Sequence, residues 1–248
     1  MRTGWNIFSF ESLGSTQDIA KSYLAEGGEN KPLPFAVRAD MQTAGRGRLG
    51  NQWASLTGNL FASLCVDIGG VPAQNAGQYS FLAAVALMDA LADYGVRDAK
   101  NKWPNDILVN GQKIAGILLE SDVQSDGKIN ALIIGVGVNL AKAPDGAVAL
   151  NDVIKSEIFP SEFLEKFIDK LQNQLDVIAL DGFSPIRKLW LSKAYGMGTQ
   201  IRVRLANEMF YGEFVGLDDA GALLVRPENI NTPRIIHSGE IFFELKEG

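Results

Sequence analysis

Cysteine and histidine are nearly absent. Cys65 is the one cysteine and His237 the one histidine in 248 residues. A disulfide framework needs paired cysteines and a zinc cage needs several Cys or His, so both are excluded, as is any multi-histidine site. No apolar run approaches the ~18 residues of a membrane span. Met1–Phe10 has no basic start leading into an apolar core, so no signal peptide is expected. An excess of positive charge is missing too. The net charge is −6, which argues against a nucleic-acid partner held by phosphate contacts. No Gly-Lys-Ser/Thr occurs, so a P-loop is excluded. The remainder is ordinary: 46% hydrophobic and 21% charged residues, a globular composition with room for one large domain, or one domain plus a small one. A cytoplasmic protein with neither membrane nor nucleic-acid partner is the expectation.

What is present is concentrated in residues 40–53, Asp-Met-Gln-Thr-Ala-Gly-Arg-Gly-Arg-Leu-Gly-Asn-Gln-Trp. Gly45, Gly47 and Gly50 interleave with Arg46 and Arg48. Glycines let a backbone approach a ligand, and successive N–H groups make an anion-binding concavity. Arginine adds a planar cationic fork matched to carboxylate and phosphate. Gly45–Gly50 also fits the dinucleotide pattern GxGxxG, but that motif must open a helix. Asn51–Gly58 has no helical periodicity, so nucleotide-linked redox chemistry is rejected.

The chain around the loop alternates strands and helices. Trp5–Phe10 reads as a strand. Ser15, with Asp18 three positions on, reads as a helix N-cap, and Gly27-Gly28 as the stop. Phe35–Ala39 and Asn59–Ile68 read as strands, and Gln74–Tyr94 as a helix with an apolar stripe. Residues 99–139 form an antiparallel meander with turns at Asn105-Asp106, Asn110-Gly111 and Ser125–Gly127. Residues 140–152 read as a polar loop, Pro160–Leu180 and Ser184–Tyr195 as helices. From Gly196 the chain reads as short strands, Ile201–Leu205, Glu208–Leu217, Ala222–Arg226 and Arg234–Glu244, enough for a small five-stranded barrel. The expected class is α+β, with a mixed, mainly antiparallel sheet and packed helices in residues 1–194 and a small β-barrel in 195–248.

Three further motifs accompany the loop: Lys102-Trp103-Pro104-Asn105-Asp106, Lys113-Ile-Ala-Gly-Ile-Leu-Leu-Glu120, and Gly135-Val-Gly-Val-Asn139. They supply cations for an anion, amides for a heterocycle edge, and small residues for close approach. Each alone has a bland reading: Trp103 as core, Lys102 as surface, Asn139 as a strand-end turn, Ser15 and Thr16 as capping. Together they indicate a site for an organic acid and a nucleotide.

In this order and at this spacing, these motifs resemble those of the biotin protein ligases. Ser15-Thr16-Gln17 resembles that family's early Ser-Thr-Asn. The resemblance runs by motif over residues 5–140 and agrees with a small C-terminal β unit. It implies a class II synthetase-like catalytic domain, an SH3-like C-terminal barrel, ATP and Mg²⁺ as cofactors, and biotin as substrate. The implied activity is formation of biotinyl-5′-AMP, followed by transfer of biotin to a lysine of a biotin carboxyl carrier protein. Ser15, Thr16, Gln17, Gln42, Gly45, Arg46, Gly47, Arg48, Lys113 and Gly116 are the implied biotin contacts. Arg48, Trp53, Asn105, Lys113 and Asn139 are the implied ATP and adenylate contacts. Lys113 and Arg48 would be catalytic, with Asp106 orienting the acceptor amine and Mg²⁺ held mainly through the ATP phosphates. The sequence does not fix the oligomeric state; by analogy with related ligases, the exposed edge of the antiparallel sheet offers a place for a second copy to pair as a homodimer.

There are departures. The family usually places an arginine where Asn51 stands, Gln17 replaces Asn, and no tryptophan occurs in 140–155 to cover adenine. Few residues precede the first strand, so the family's N-terminal DNA-binding domain is not expected. The alternative enzyme is a lipoate or octanoate ligase or transferase; transferases of that kind rely on a Lys/Cys pair, and Cys65 lies in an apolar strand. A non-catalytic biotin binder and a carrier-docking scaffold built on residues 196–248 are the readings from other classes.

Overall fold

The computed structural model describes residues 4–26, 33–121, 126–228 and 230–243. The expected Gly27-Gly28 stop and Ser125 lie outside these residues.

Strands β1 (Asn6–Leu13), β2 (Phe35–Gln42), β3 (Leu60–Pro72), β4 (Lys100–Lys102), β5 (Asp106–Val109), β6 (Gln112–Ser121) and β7 (Lys128–Val138) form one seven-stranded sheet. Its order is β1-β2-β3-β7-β6-β5-β4. Only the β1–β2 pair is parallel. The chain crosses between those two strands through helix α1 (Thr16–Glu26), as a parallel pair requires. The meander read from the sequence is β4 to β7. Its Asn110-Gly111 turn takes positive φ at both residues, 51° and 77°, the geometry that Asn-Gly favours in a two-residue hairpin.

Helices α2 (Gln78–Asp93), α4 (Pro160–Asp181) and α5 (Phe183–Ser192) pack on the sheet and on each other. α2 presents Leu82, Ala86, Leu87, Ala90 and Leu91 to the interior, all fully buried. The expected helix from Gln74 starts later: Ala73–Asn75 is a 3₁₀ turn and α2 begins at Gln78. β1 continues to Leu13, because Ser12 and Leu13 pair with Met41 and Gln42. β3 passes Ile68 and bulges at Gly69-Gly70 before pairing again at Val71. Residues 140–152 are not wholly loop, since α3 spans Leu150–Ile154.

The C-terminal strands are β8 (Gln200–Arg204), β9 (Met209–Leu217), β10 (Leu223–Pro227), β11 (Arg234–Ile236) and β12 (Glu240–Phe243), in order β11-β10-β9-β8-β12. The single expected strand from Arg234 is two, separated near Ser238-Gly239. Their inward residues, Ile201, Val203, Phe214, Leu223 and Val225, join the same buried cluster as α2 and α5. Phe81 of α2 meets Trp190 of α5 edge-on at 5.2 Å. The Arg187 guanidinium of α5 donates to the Leu217 carbonyl of β9. The chain therefore changes character at Gly196 while its core runs on, and Tyr195 meets Phe243 of β12 edge-on at 4.7 Å. Among the described residues no helix is long and apolar enough to cross a membrane.

Candidate active site

A cavity of about 190 Å³ opens on the large sheet, walled by α1, the 45–53 loop, β5, β6, β7 and the end strand β12. Its two ends differ in chemistry.

One end is neutral. Ser15, Thr16, Gln17 and Gln42 line it. The first three are buried at the start of α1. The Thr16 N–H and hydroxyl both donate to Gln42 Oε1, at 2.8 and 3.1 Å. The Ser63 hydroxyl of β3 donates to Thr16 Oγ1 at 2.8 Å. Gln17 Nε2 donates to the Leu118 carbonyl at 3.1 Å, and its Oε1 is buried with no partner. A buried amide oxygen left unbonded costs about 1–3 kcal/mol, so this end asks for a donor. Gly135 makes the seat, since a Cβ there would stand 2.8 Å from Gln17 Nε2. Ser15 holds the helix start through its carbonyl, which accepts from the Asp18 and Ile19 N–H groups.

The other end is basic. Arg46, Arg48, Lys102 and Lys113 line it, with the carboxylates of Asp106 and Glu240. Lys113 Nζ is 2.7 Å from Asp106 Oδ1. That oxygen makes no hydrogen bond of good geometry, so the contact is a charge pair rather than a directed bond. Nearly two-fifths of the lysine side chain is exposed; such pairs contribute at most about 1 kcal/mol, and an incoming anion can take the lysine. Arg48 is half-buried and makes no ion pair among the described residues. Burial is the larger influence and pulls its pKa below the usual arginine value; Asp106 and Glu240 pull it back up. Arg46 is already engaged. Its guanidinium donates twice to the Asp18 carboxylate, at 2.9 and 2.7 Å, and lies 3.4 Å from Glu120.

The glycine–arginine loop folds back on itself. The Trp53 N–H donates to the Gly45 carbonyl and the Gly47 N–H to the Asn51 carbonyl, at 3.0 and 2.7 Å. A 3₁₀ turn at Arg48–Gly50 puts Leu49 and Gly50 at positive φ. No α-helix follows until α2, which is why the dinucleotide pattern misleads here. Trp53 anchors the loop. Its indole covers Gly116 and Gly137, where a Cβ would stand 2.8 and 2.4 Å from the ring. Lys113 Nζ lies 5.1 Å from the Trp53 ring centre, a cation–π contact. The indole N–H is buried and unpartnered.

The structure brings most of the sequence-read residues onto one wall: Ser15, Thr16, Gln17, Gln42, Arg46, Gly47, Arg48, Trp53, Asn105, Asp106, Lys113 and Gly116. Two are not on it. Gly45 lies behind the loop against Ser55 and the Trp53 carbonyl. Asn139 is buried, and its Nδ2 points 3.4 Å from the Lys113 carbonyl rather than into the cavity; the Val148 N–H donates to the same carbonyl. Asn105 is on the wall, yet its Nδ2 donates to the Ile117 carbonyl at 2.6 Å. Gly116, an implied biotin contact, lies on the wall beside the Trp53 indole. Sequence reasoning missed Glu240, Ile241 and Phe242 of β12. The Arg202 and Arg204 guanidinium groups each lie 5.0 Å from the Phe242 ring, and Arg204 pairs with Glu240. The alternation of charged and apolar residues in 240–243 marks a strand; nothing local says that it faces the loop.

The amino-acid sequence matches the family described as "Biotin/lipoate A/B protein ligase family" over residues 9–139 and the "Biotin protein ligase C terminal domain" over 196–244. It is 39% identical over 221 residues to the biotin–[acetyl-CoA-carboxylase] ligase of Paracoccus denitrificans, covering 84% of this chain and 89% of that protein. It is 34% identical over 230 residues to the bifunctional ligase/repressor BirA of Bacillus subtilis, covering 90% of this chain and 70% of that one. The structure is similar to biotin protein ligase from Aquifex aeolicus in complex with biotin and ATP, with TM-score 0.78, 26% identity, and 96% and 97% of the two chains covered. With more than half of its length matched, and a wall on which the motif residues converge, the chain belongs to the biotin/lipoate A/B protein ligase family.

Proposed function

We infer that the chain is a biotin protein ligase. The carrying observation is that one cavity joins a neutral end with an unmet acceptor, Gln17 Oε1, to a basic end with an unpaired arginine. Biotin has that polarity: a ureido ring with N–H donors at one end and a carboxylate at the other. A lipoyl dithiolane offers no N–H donor. Relatives named as biotin ligases agree, including the Leishmania major enzyme solved with biotinyl-5-AMP, at 26% identity and TM-score 0.66.

Two balanced steps follow. In the first, a biotin carboxylate oxygen attacks the α-phosphorus of ATP. The bond to the β-phosphate breaks, and pyrophosphate leaves with its electron pair. Both reactants are anionic, so the cations of Lys113 and Arg48 at the meeting point offset the repulsion and stabilise the charge that develops. The 45–53 loop and the Trp53 indole keep water from the mixed anhydride. In the second, a lysine amine of a biotin carboxyl carrier protein attacks the acyl carbon. AMP leaves, the amide forms, and a proton is lost. Asp106 faces the same space and orients that amine.

Ser15, Thr16, Gln17 and Gln42 hold the ureido ring; Arg48, Lys113, Trp53 and Asn105 border the adenylate. Mg²⁺ travels with the triphosphate. Among the described residues no three Asp, Glu, His or Cys side chains converge, and the two wall carboxylates are paired with Lys113 and Arg204. Among the described residues the side chains make no cage of their own, so the ion would be held through the ATP phosphates and would offset their charge there. The thiol reading of a lipoyl transferase fares poorly, because burial pushes the Cys65 pKa up to about 12 and only a thiolate is nucleophilic.

The same proposal assigns chemistry to residues 1–194 and the second wall to 195–248. It places the protein in the cytoplasm without a nucleic-acid partner, and as a homodimer paired along the exposed edge strand β1, which sedimentation checks. The deciding assay is exchange of pyrophosphate into ATP. Biotin should drive it and lipoate should not; exchange with lipoate alone overturns the reading.

A further inference from the structure

Lys113 stands beside a β-bulge. Ile107 pairs with Ala115 but Leu108 pairs with Lys113, so Ile114 is the extra residue. A bulge re-aims its side chains and disrupts the ladder locally, here on the β5 side. On the other side of β6, one residue meets the carbonyls of both Lys113 and Ile114. The Asn139 N–H donates to the Ile114 carbonyl at 2.8 Å, and Asn139 Nδ2 points to the Lys113 carbonyl at 3.4 Å. The Val148 N–H adds a bond to the Lys113 carbonyl at 3.0 Å. The segment that does this is clamped by Asn59, at the start of β3 and only 1% exposed. Asn59 Oδ1 accepts from the Leu140, Ala141 and Lys142 N–H groups, at 3.0, 3.0 and 3.1 Å. Its Nδ2 donates to the Lys142 carbonyl at 2.8 Å. Neither asparagine lines the cavity.

We propose that Asn59 and Asn139 are positioning residues for Lys113: a buried amide brace that holds the bulge and so aims the lysine along Gly116 toward Asp106. The proposal rests on the reading that Lys113 supplies the cation for adenylation. It gives Asn139 a role behind the lysine rather than against the nucleotide. Asn59, which carries no charge and touches no ligand, becomes part of the reaction through geometry alone.

The test is a double-mutant cycle on pyrophosphate exchange. Asn59→Ala and Asn139→Ala should each lower kcat by about ten- to a hundredfold, the scale of a displacement near 1 Å, while biotin KM stays within about threefold. Added to Lys113→Ala, neither should cause a further loss beyond about twofold, because residues that act as a unit are not additive. Circular dichroism on each variant separates loss of fold from loss of aim, and if Asn59→Ala does not fold, Asn139→Ala carries the cycle. Losses that add to that of Lys113→Ala, or single variants that keep wild-type kcat, overturn the brace. If lipoate alone drives exchange, the functional reading falls, and the same cycle run with lipoate still decides the brace.

Discussion

The two ends of the cavity are built on opposite plans. The neutral end is tied together by directed bonds before any ligand arrives: Ser63 to Thr16, Thr16 to Gln42, Gln17 to Leu118. The basic end is under-bonded, with Arg48 unpaired and Lys113 held by a loose charge pair. Hydrogen bonds between neutral groups are directional and barely shift with salt, so they suit recognition of one ring. Unpaired cations gain most when an anion comes, and the gain grows as charge builds in the transition state. Under the proposed function, this contrast gives selection to one end and catalysis to the other.

That contrast can be broken. The largest effect is expected from Lys113→Ala, which should lower kcat for adenylation about 10²- to 10³-fold. Biotin binding, read by calorimetry, should weaken far less; an equal loss in both would erase the distinction. Gly137→Ala comes next. The added Cβ would stand 2.4 Å from the Trp53 ring, and overpacking of about 1–3 kcal/mol predicts about a five- to hundredfold slower exchange. Trp53 fluorescence should shift with it, and a normal rate with a shifted spectrum would separate loop seating from catalysis. Thr16→Val acts at the neutral end. It removes one donor to Gln42 and the acceptor of Ser63. About 1 kcal/mol, or about fivefold in biotin KM, is expected at unchanged kcat. The smallest effect is on pH. The hydrogen bonds from Arg46 hold the Asp18 carboxyl below its usual value of 3.8. Their contribution is present above that value and is lost as pH falls through the lower, folded-state pKa. Both groups are substantially exposed, so solvent discounts the effect. Arg46→Ala should therefore flatten the acid limb of a thermal-stability profile only slightly, and a large change would mean that the Arg46–Asp18 pair carries more of the fold than its exposure allows.

Much of the frame was legible in the chain. Asn110-Gly111 gave its hairpin because two positive φ values in succession suit few other residue pairs. The strands of 99–139 and the helices after Pro160 followed from alternation and helical spacing. One boundary slipped for a non-local reason: β1 runs on to Leu13 because β2 is beside it, and no spacing within 5–13 contains that fact.

By itself the sequence determined which chemistry is at hand: the glycine–arginine loop, the Lys-Trp-Pro-Asn-Asp turn, Lys113, and the exclusion of disulfide, metal-cage and P-loop chemistry. Backbone preference and side-chain charge belong to single residues and their neighbours, so they survive the absence of a fold. Only the tertiary structure decided who faces whom. It brought Glu240 and Phe242 from the last strand to the wall, laid Trp53 over Gly116 and Gly137, and turned Asn139 toward the back of Lys113. Those outcomes depend on packing between segments far apart in the chain, where shape and unmet hydrogen bonds choose the partner.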